Sequence, residues 1–321
     1  MPDRIVAVLG TRYPDLAVEE SVLGPLGVTL RSSPAGSADE LLEAADGAEV
    51  ILCGSAPKFT RDVIAKLGCR GIVRYGIGVD SVDLDAAREY GIWVARVTDY
   101  GTEAVATHAV AMGLAASRRL TAANRHVQAG GWGFADLRPL HLPSASTAGV
   151  VGYGRIGRYA ATLLRGLGFS VIAHDPFVTS SDDGTSMTAS LDELLERSDL
   201  VTLHVPGNAD GTPLIGAGEL AACKPGSVLV NTARGTLIDR EALVEALGRG
   251  RPAVAALDVF DHEPVDASLF AAVADRVILT PHMAWYSEES EHDLRTKASQ
   301  EAARLLRDER PTDVVVDPTE D

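Results

Sequence analysis

Cysteine is scarce: three in 321 residues, Cys53, Cys69 and Cys223, far apart in the chain. That count excludes a disulfide framework, leaves no cysteine set for zinc, and fits a reducing compartment. Basic charge is also short. Twenty-nine Lys and Arg stand against 45 Asp and Glu, a net charge of −16. Neither nucleic acid nor an anionic membrane surface is therefore expected as the main partner. No apolar run approaches the ~18 residues that a membrane span needs. The opening MPDRIVAVLG has only a short apolar run beside an arginine, which reads as a first strand and not as a signal peptide. No internal repeat and no low-complexity segment is visible. These absences predict a cytoplasmic protein without a metal site.

What is present is ordinary globular composition, 46% hydrophobic and 23% charged. The length favours two domains. Short apolar runs recur at 5–9, 49–54, 71–76, 93–97, 148–152, 170–175, 200–205, 227–232, 253–260 and 277–281. Most are continuously apolar, as strands covered on both faces are. Helical patterns lie between them. Ser190 and Glu193 form a capping-box signature, Asp239 can cap REALVEALGRG, and Ser287 can cap a final helix. The stretch from 102 to about 128 reads as one extended helix rich in alanine. Strand–helix alternation predicts an α/β fold of doubly wound parallel sheets.

Residues 150–157 read VVGYGRIG, a G-x-G-x-x-G turn built on Gly152, Gly154 and Gly157, with Arg155 and Ile156 inside it. It follows a strand and opens a helix. In such a turn the first glycine makes the tight bend, the second admits a pyrophosphate close to the backbone, and the third lets helix and strand pack. The helix N-terminus offers free N–H groups to the phosphates. The next strand ends in Asp175, about 20 residues on, where a carboxylate holds ribose hydroxyls. A carboxylate there repels a 2′-phosphate, and residues 176–180 contain no arginine, so NAD is the expected cofactor.

Three polar groups then follow strand ends: Arg234 in NTARG, Glu263 in DHEP and His282 in PHMAW. Taken singly, they read as a surface arginine, a turn acid before Pro264 and a packed core histidine. Together a guanidinium, a carboxylate and an imidazole at successive strand ends can converge on one crevice. The order VVGYGRIG, LVNTARGTLID, ALDVFDHEP, TPHMAW resembles the D-2-hydroxyacid dehydrogenase family over nearly the whole chain. RYGIGVDSVDLDAA and PHMAWYSEES look like its C-terminal-binding protein (corepressor) branch.

The resemblance implies an NAD-dependent oxidoreductase that interconverts a 2-oxo acid and a D-2-hydroxy acid. A dinucleotide-sensing scaffold with little turnover is the alternative. It implies that Arg234 holds the substrate carboxylate, that His282 is the general acid/base, and that Glu263 fixes its tautomer. Ile77 and Gly78 would bind the carboxylate through backbone N–H groups, and Trp285 would line the substrate pocket. Val205, Pro206, Thr212, Thr232, Ala233 and Asp258 would lie near the cofactor, with Arg234 and His282. The implied architecture is a Rossmann NAD-binding domain, 99–282, inserted in a discontinuous flavodoxin-like substrate domain, 1–98 and 283–321. The crossings near 98–101 and 281–285 would be hinges. The family is usually dimeric through the NAD-binding domain, and the helix from Thr102 is the candidate contact.

Overall fold

The apolar runs become two largely parallel sheets in a computed structural model that describes residues 4–11, 13–208 and 210–320. The first three residues of MPDRIVAVLG lie outside the described residues. The chain divides into two units, Met1–Gly101 with Ser287–Asp321, and Thr102–Tyr286. Elements are numbered along the chain.

Unit 1 contains β1 (Arg4–Leu9), β2 (Val28–Ser33), β3 (Ala48–Cys53), β4 (Gly71–Arg74), β5 (Trp93–Arg96) and β13 (Val314–Val316), in the order β13-β5-β4-β3-β1-β2. Apart from the antiparallel β13, this is the flavodoxin-like order. Helices α1 (Ala17–Leu23), α2 (Ala38–Ala45), α3 (Arg61–Ile64), α4 (Leu84–Glu89) and α11 (Glu288–Leu306) accompany the sheet. Leu9, Ile51, Ile72, Val94 and Val316 are fully buried in one of its cores. Ser287 caps α11 as expected, its hydroxyl accepting the Ser290 N–H at 3.1 Å.

A polar knot lies inside unit 1. The Glu19 carboxylate on α1 is fully buried. It accepts two bonds from Arg295 on α11, at 3.0 and 2.7 Å, and one from the Tyr75 hydroxyl at 2.9 Å. The Arg295 guanidinium also lies 4.4 Å over the Tyr13 ring, and Tyr13 meets Tyr75 edge-on. Burial pushes both phenols above their ordinary range.

Unit 2 contains β6 (Thr147–Val151), β7 (Ser170–His174), β8 (Ser186–Met187), β9 (Leu200–Leu203), β10 (Val228–Asn231), β11 (Val254–Leu257) and β12 (Val277–Leu279). All are parallel, in the order β12-β11-β10-β9-β6-β7-β8. This is the Rossmann order extended by one strand, and its direction reverses at β6. Its helices are α5 (Thr102–Ser117), α6 (Leu120–Gln128), α7 (Arg155–Gly166), α8 (Leu191–Arg197), α9 (Ala217–Ala222) and α10 (Arg240–Arg249).

The single helix expected from 102 to about 128 is two helices. Arg119 takes a left-handed backbone, φ +53°, and starts α6 in a new direction. α5 buries Ala106, Ala109, Val110, Met112, Gly113 and Ala116, and lies close enough to β9 that a Cβ on Gly113 would stand 2.8 Å from Leu200. α6 has no buried residue. No glycine or proline marks the break, so the pattern reads straight through it. Two caps also refine the expectation. The Asp239 carboxylate caps α10 through the Ala242 N–H at 3.0 Å. Ser190 caps α8 through the Glu193 N–H at 3.1 Å, but the Glu193 carboxylate returns to the Ala189 N–H at 2.9 Å and not to that of Ser190.

The unit limits fall a few residues beyond those expected, for reasons visible in the bonding. Val97 donates to Gly76 O, the Thr98 hydroxyl bonds Asp313, and Asp99 pairs with Lys297, all within unit 1. Met283 and Ala284 donate to Asp258, and Tyr286 to Met283 O, all within unit 2.

Candidate active site

The three glycines after β6 serve three different needs. Gly152 has φ +90°, and a Cβ there would stand 2.6 Å from His204 O. A Cβ on Gly157 would stand 2.0 Å from Gly152 O, so helix and turn touch only through glycine. At Gly154 nothing lies within 4 Å of the Cβ position. That missing side chain serves no packing inside the protein, which suits a turn that a phosphate approaches. α7 has no acid in its first turn and begins with the exposed Arg155; Ile156 is half-buried. Positive partial charge and guanidinium therefore coincide at one end.

Asp175 sits just past β7. Its carboxylate accepts the Tyr153 N–H at 2.7 Å and the Phe177 N–H at 2.9 Å. Each oxygen keeps a lone pair for a ribose hydroxyl. Past β10, the Thr232 hydroxyl is buried without a partner among the described residues, and the Ala233 N–H donates to Asn231 Oδ1 at 3.0 Å. A cofactor group with a free donor or acceptor would satisfy the Thr232 hydroxyl. The residues present therefore fit a dinucleotide. Val205 and Pro206 follow β9, and Val205 packs on the unit's core beside Gly152. Thr212 is exposed, and its N–H and hydroxyl go to Asp210 at 3.0 and 2.7 Å. His204, beside Val205, is desolvated, and burial lowers its imidazole to about 4. It is neutral near pH 7, with Nε2 3.0 Å from the Thr202 hydroxyl.

His282 follows β12 with φ +52°, a left-handed conformation that side chains other than glycine rarely adopt. Its surroundings over-determine that backbone. The His282 N–H donates to Asp258 O at 2.9 Å and Thr280 O at 3.0 Å. The fully buried Asp258 carboxylate accepts the Thr280 hydroxyl at 2.5 Å and the N–H groups of Met283 and Ala284 at 3.0 and 2.9 Å. Asp258, expected beside the cofactor, thus grips the chain on both sides of His282. His108 on α5 completes this latch, its Nε2 3.2 Å from the Thr280 hydroxyl.

The imidazole itself stays half-exposed. Its Nδ1 lies 2.7 Å from Glu263 Oε2. An ionised carboxylate only accepts, so Nδ1 carries the hydrogen and Nε2 is left for the reaction. Glu263 Oε1 accepts the Phe260 N–H at 3.0 Å, which fixes the carboxylate in turn. The Arg234 turn rests on the same segment: a Cβ on the neighbouring Gly235 would lie 1.9 Å from the Phe260 carbonyl carbon. Arg234 Nη1 donates to Ala233 O at 2.7 Å, and its carbonyl accepts from the Asn231 side chain at 2.8 Å.

Bonding and packing thus link Glu263 to His282, and the Arg234 turn to the Glu263 segment, within unit 2. Trp285 is half-buried and meets Tyr286 edge-on at 5.8 Å. Ile77 and Gly78 belong to unit 1, after β4, where Ile77 O accepts from Arg96 at 3.3 Å. Thr280 and His108 were not legible as site residues. Thr280 is only the residue before PHMAW, and His108 is one polar position in an alanine-rich helix. The Cys53 and Cys69 thiols are buried and pushed up to about 12, and Cys223 to about 11, so none is poised as a nucleophile. Among the described residues no group of His, Cys, Asp and Glu could hold a metal ion, and no helix is long and apolar enough to cross a membrane.

Residues 110–284 match the family described as D-isomer specific 2-hydroxyacid dehydrogenase, NAD binding domain. The chain is 35% identical over 281 residues to D-3-phosphoglycerate dehydrogenase of Methanocaldococcus jannaschii, covering 86% of this chain and 53% of that one. It is 34% identical over 288 residues to (S)-sulfolactate dehydrogenase of Chromohalobacter salexigens, covering 88% and 93%. A D-lactate dehydrogenase from Aquifex aeolicus, solved with NAD and lactic acid, superimposes with a TM-score of 0.84 at 28% identity, covering 94% and 96%. The chain spans about half the length of the phosphoglycerate dehydrogenases it matches. It belongs to the D-isomer specific 2-hydroxyacid dehydrogenase family, and the Rossmann unit holds the family's NAD-binding domain.

Proposed function

We propose that this protein is an NAD-dependent oxidoreductase interconverting a 2-oxo acid and a D-2-hydroxy acid. The observation that carries the reading is the His282–Glu263 pair, held at 2.7 Å on strand-end loops of the unit that also bears the glycine turn. The nicotinamide supplies or receives the hydride when bound. His282 Nε2 gives a proton to the substrate's carbonyl oxygen in reduction and takes it back in oxidation. Glu263 keeps Nδ1 protonated, which leaves Nε2 as the reactive nitrogen. Arg234 offers two parallel donors to a planar carboxylate. Gly152, Gly154, Arg155, Ile156, Gly157 and Asp175 hold the cofactor's phosphates and ribose. Thr232, Ala233, Val205 and Pro206 stand on its nicotinamide side. The backbone N–H groups of Ile77 and Gly78 on unit 1, the substrate domain in this reading, are suited to an anionic group. Trp285 favours a substrate with an apolar tail.

The decisive test is NADH oxidation across pyruvate, phenylpyruvate, branched 2-oxo acids, glyoxylate and phosphonopyruvate. We expect turnover with at least one. NADH binding with none of them turned over would favour the second reading, an NAD(H)-sensing scaffold of the corepressor-like branch. That reading rests on RYGIGVDSVDLDAA and PHMAWYSEES; the enzyme names of the relatives support turnover. The acidic charge and three reduced thiols support a cytoplasmic setting. A homodimer through unit 2 is supported by the apolar residues that follow α5: Trp132 is 90% exposed, with Phe134, Leu142, Leu120 and Val127 also open. Light scattering should give twice the 33.7 kDa chain mass, and a monomeric mass rejects the dimer.

A further inference from the structure

We infer that Tyr153 is a positioning residue for cofactor selectivity, pinning both ends of segment 175–185 so that Asp175 cannot retreat from the ribose. The inference rests on the NAD reading of unit 2 and adds a determinant to it.

Tyr153 is the residue between Gly152 and Gly154, in the turn that a dinucleotide's phosphates approach. Its side chain avoids that approach and is fully buried. At the near end of the segment, its N–H donates to Asp175 at 2.7 Å. At the far end, its hydroxyl meets the Asp183 carboxylate at 2.7 Å and the Thr185 hydroxyl at 2.6 Å. One proton serves one bond, so Tyr153 donates to Asp183 and accepts from Thr185. Arg165, on the last turn of α7, donates to Asp183 at 2.8 Å and also reaches the Thr185 hydroxyl. The Thr185 N–H adds a bond to Asp183 at 3.1 Å. Arg158 lies 4.7 Å over the phenol ring. Burial pushes the Asp183 carboxyl up, but the bonds from Tyr153, Arg165 and Thr185 outweigh it and hold the group ionised well below the usual carboxylate range.

One residue therefore ties the carboxylate that faces the ribose to the end of the loop behind it. Between these anchors Phe177 is 93% exposed, and Val178 is only partly buried against the core. The segment carries Asp175, Asp182 and Asp183 and no Lys or Arg. A 2′-phosphate is admitted only if Asp175 and this acidic loop swing aside. The buried phenol and its partners oppose that motion. Discrimination against NADPH then depends on a residue that touches neither the ribose nor the phosphate through its side chain.

The test uses full-length Tyr153→Phe, Asp183→Ala and the double variant, each titrated with NADH and NADPH by fluorescence. Losing one bond to a carboxylate should weaken NADH binding about tenfold. NADPH should be affected less, so the preference narrows by a similar factor. Asp183→Ala should raise KM for NADH with little change in kcat. The double variant should do no worse than either single change, because one network is broken twice. Asp183→Asn, which still accepts from the phenol, should recover part of the preference, and it carries the test if Tyr153→Phe does not fold. A lower melting temperature with an unchanged NADH-to-NADPH ratio overturns the inference and leaves the NAD reading standing. Wild-type protein that binds neither nucleotide overturns both.

Discussion

Replacing His282 by alanine should lower kcat by roughly 10²–10⁴-fold while NADH still binds. The size follows from the chemistry. Hydride transfer to a carbonyl builds alkoxide charge, and a positioned acid that neutralises it typically accounts for two to four decades. Among the described residues the ring bonds Glu263 and no residue of the glycine turn, so cofactor affinity should survive. Alanine tolerates φ +52° less well than histidine, which is itself enriched in the left-handed region, so a small loss of stability should accompany the change. His282→Asn separates the two effects, because asparagine tolerates the left-handed region while lacking the acid. Both variants should be equally slow, and the asparagine variant nearer wild type in melting temperature. Turnover that survives in either would remove His282 from the reaction.

The second large effect is on stability. Glu19→Ala should destabilise unit 1 by about 3–5 kcal/mol, the range for breaking a buried ion pair from one side. The guanidinium of Arg295 would remain buried, with Asp15 and Glu291 at 3.5 and 3.7 Å as its nearest remaining carboxylates. Tyr75 would lose the acceptor for its hydroxyl at the same time. Removing both charges together, as in Glu19→Leu with Arg295→Met, should cost much less than either single change, because no lone charge is left inside. Urea denaturation followed by a probe in unit 1 measures this. An unchanged midpoint in Glu19→Ala would mean that the network carries no net stability.

Most of the fold was legible because covered parallel strands leave short, continuously apolar runs. The ten runs read from the sequence all contain or overlap strands of the two sheets. The strands 28–33, 186–187 and 314–316 were missed. They are short or carry polar residues, as in VTLRSS and SM, and edge strands need no continuous apolar stripe. The candidate site was legible where the proposed chemistry needs particular residue types at strand ends: glycines at 152, 154 and 157, an acid at 175, and the trio 234, 263 and 282. The Asp258 latch was not legible in that role. Its partners are two backbone amides and a threonine hydroxyl, and backbone donors leave no mark in sequence. The same holds for Tyr153, which occupies a position where the G-x-G pattern accepts any residue. The Glu19–Arg295 pair joins helices at opposite ends of the chain, a distance over which no periodicity speaks.

Unit 1 is assembled from both ends of the chain, and that has a consequence for biosynthesis. α11 packs on β3, β4 and β5, and β13 seals the outer edge of β5. A ribosome delivers every residue of unit 2 before it delivers either of those pieces. Until then the nascent sheet stands with one face uncovered and one rim unpaired, the state in which strands recruit wrong partners. Unit 2, contiguous in the chain, has no such wait, so the emerging polypeptide can hold a finished nucleotide fold beside a half-built companion.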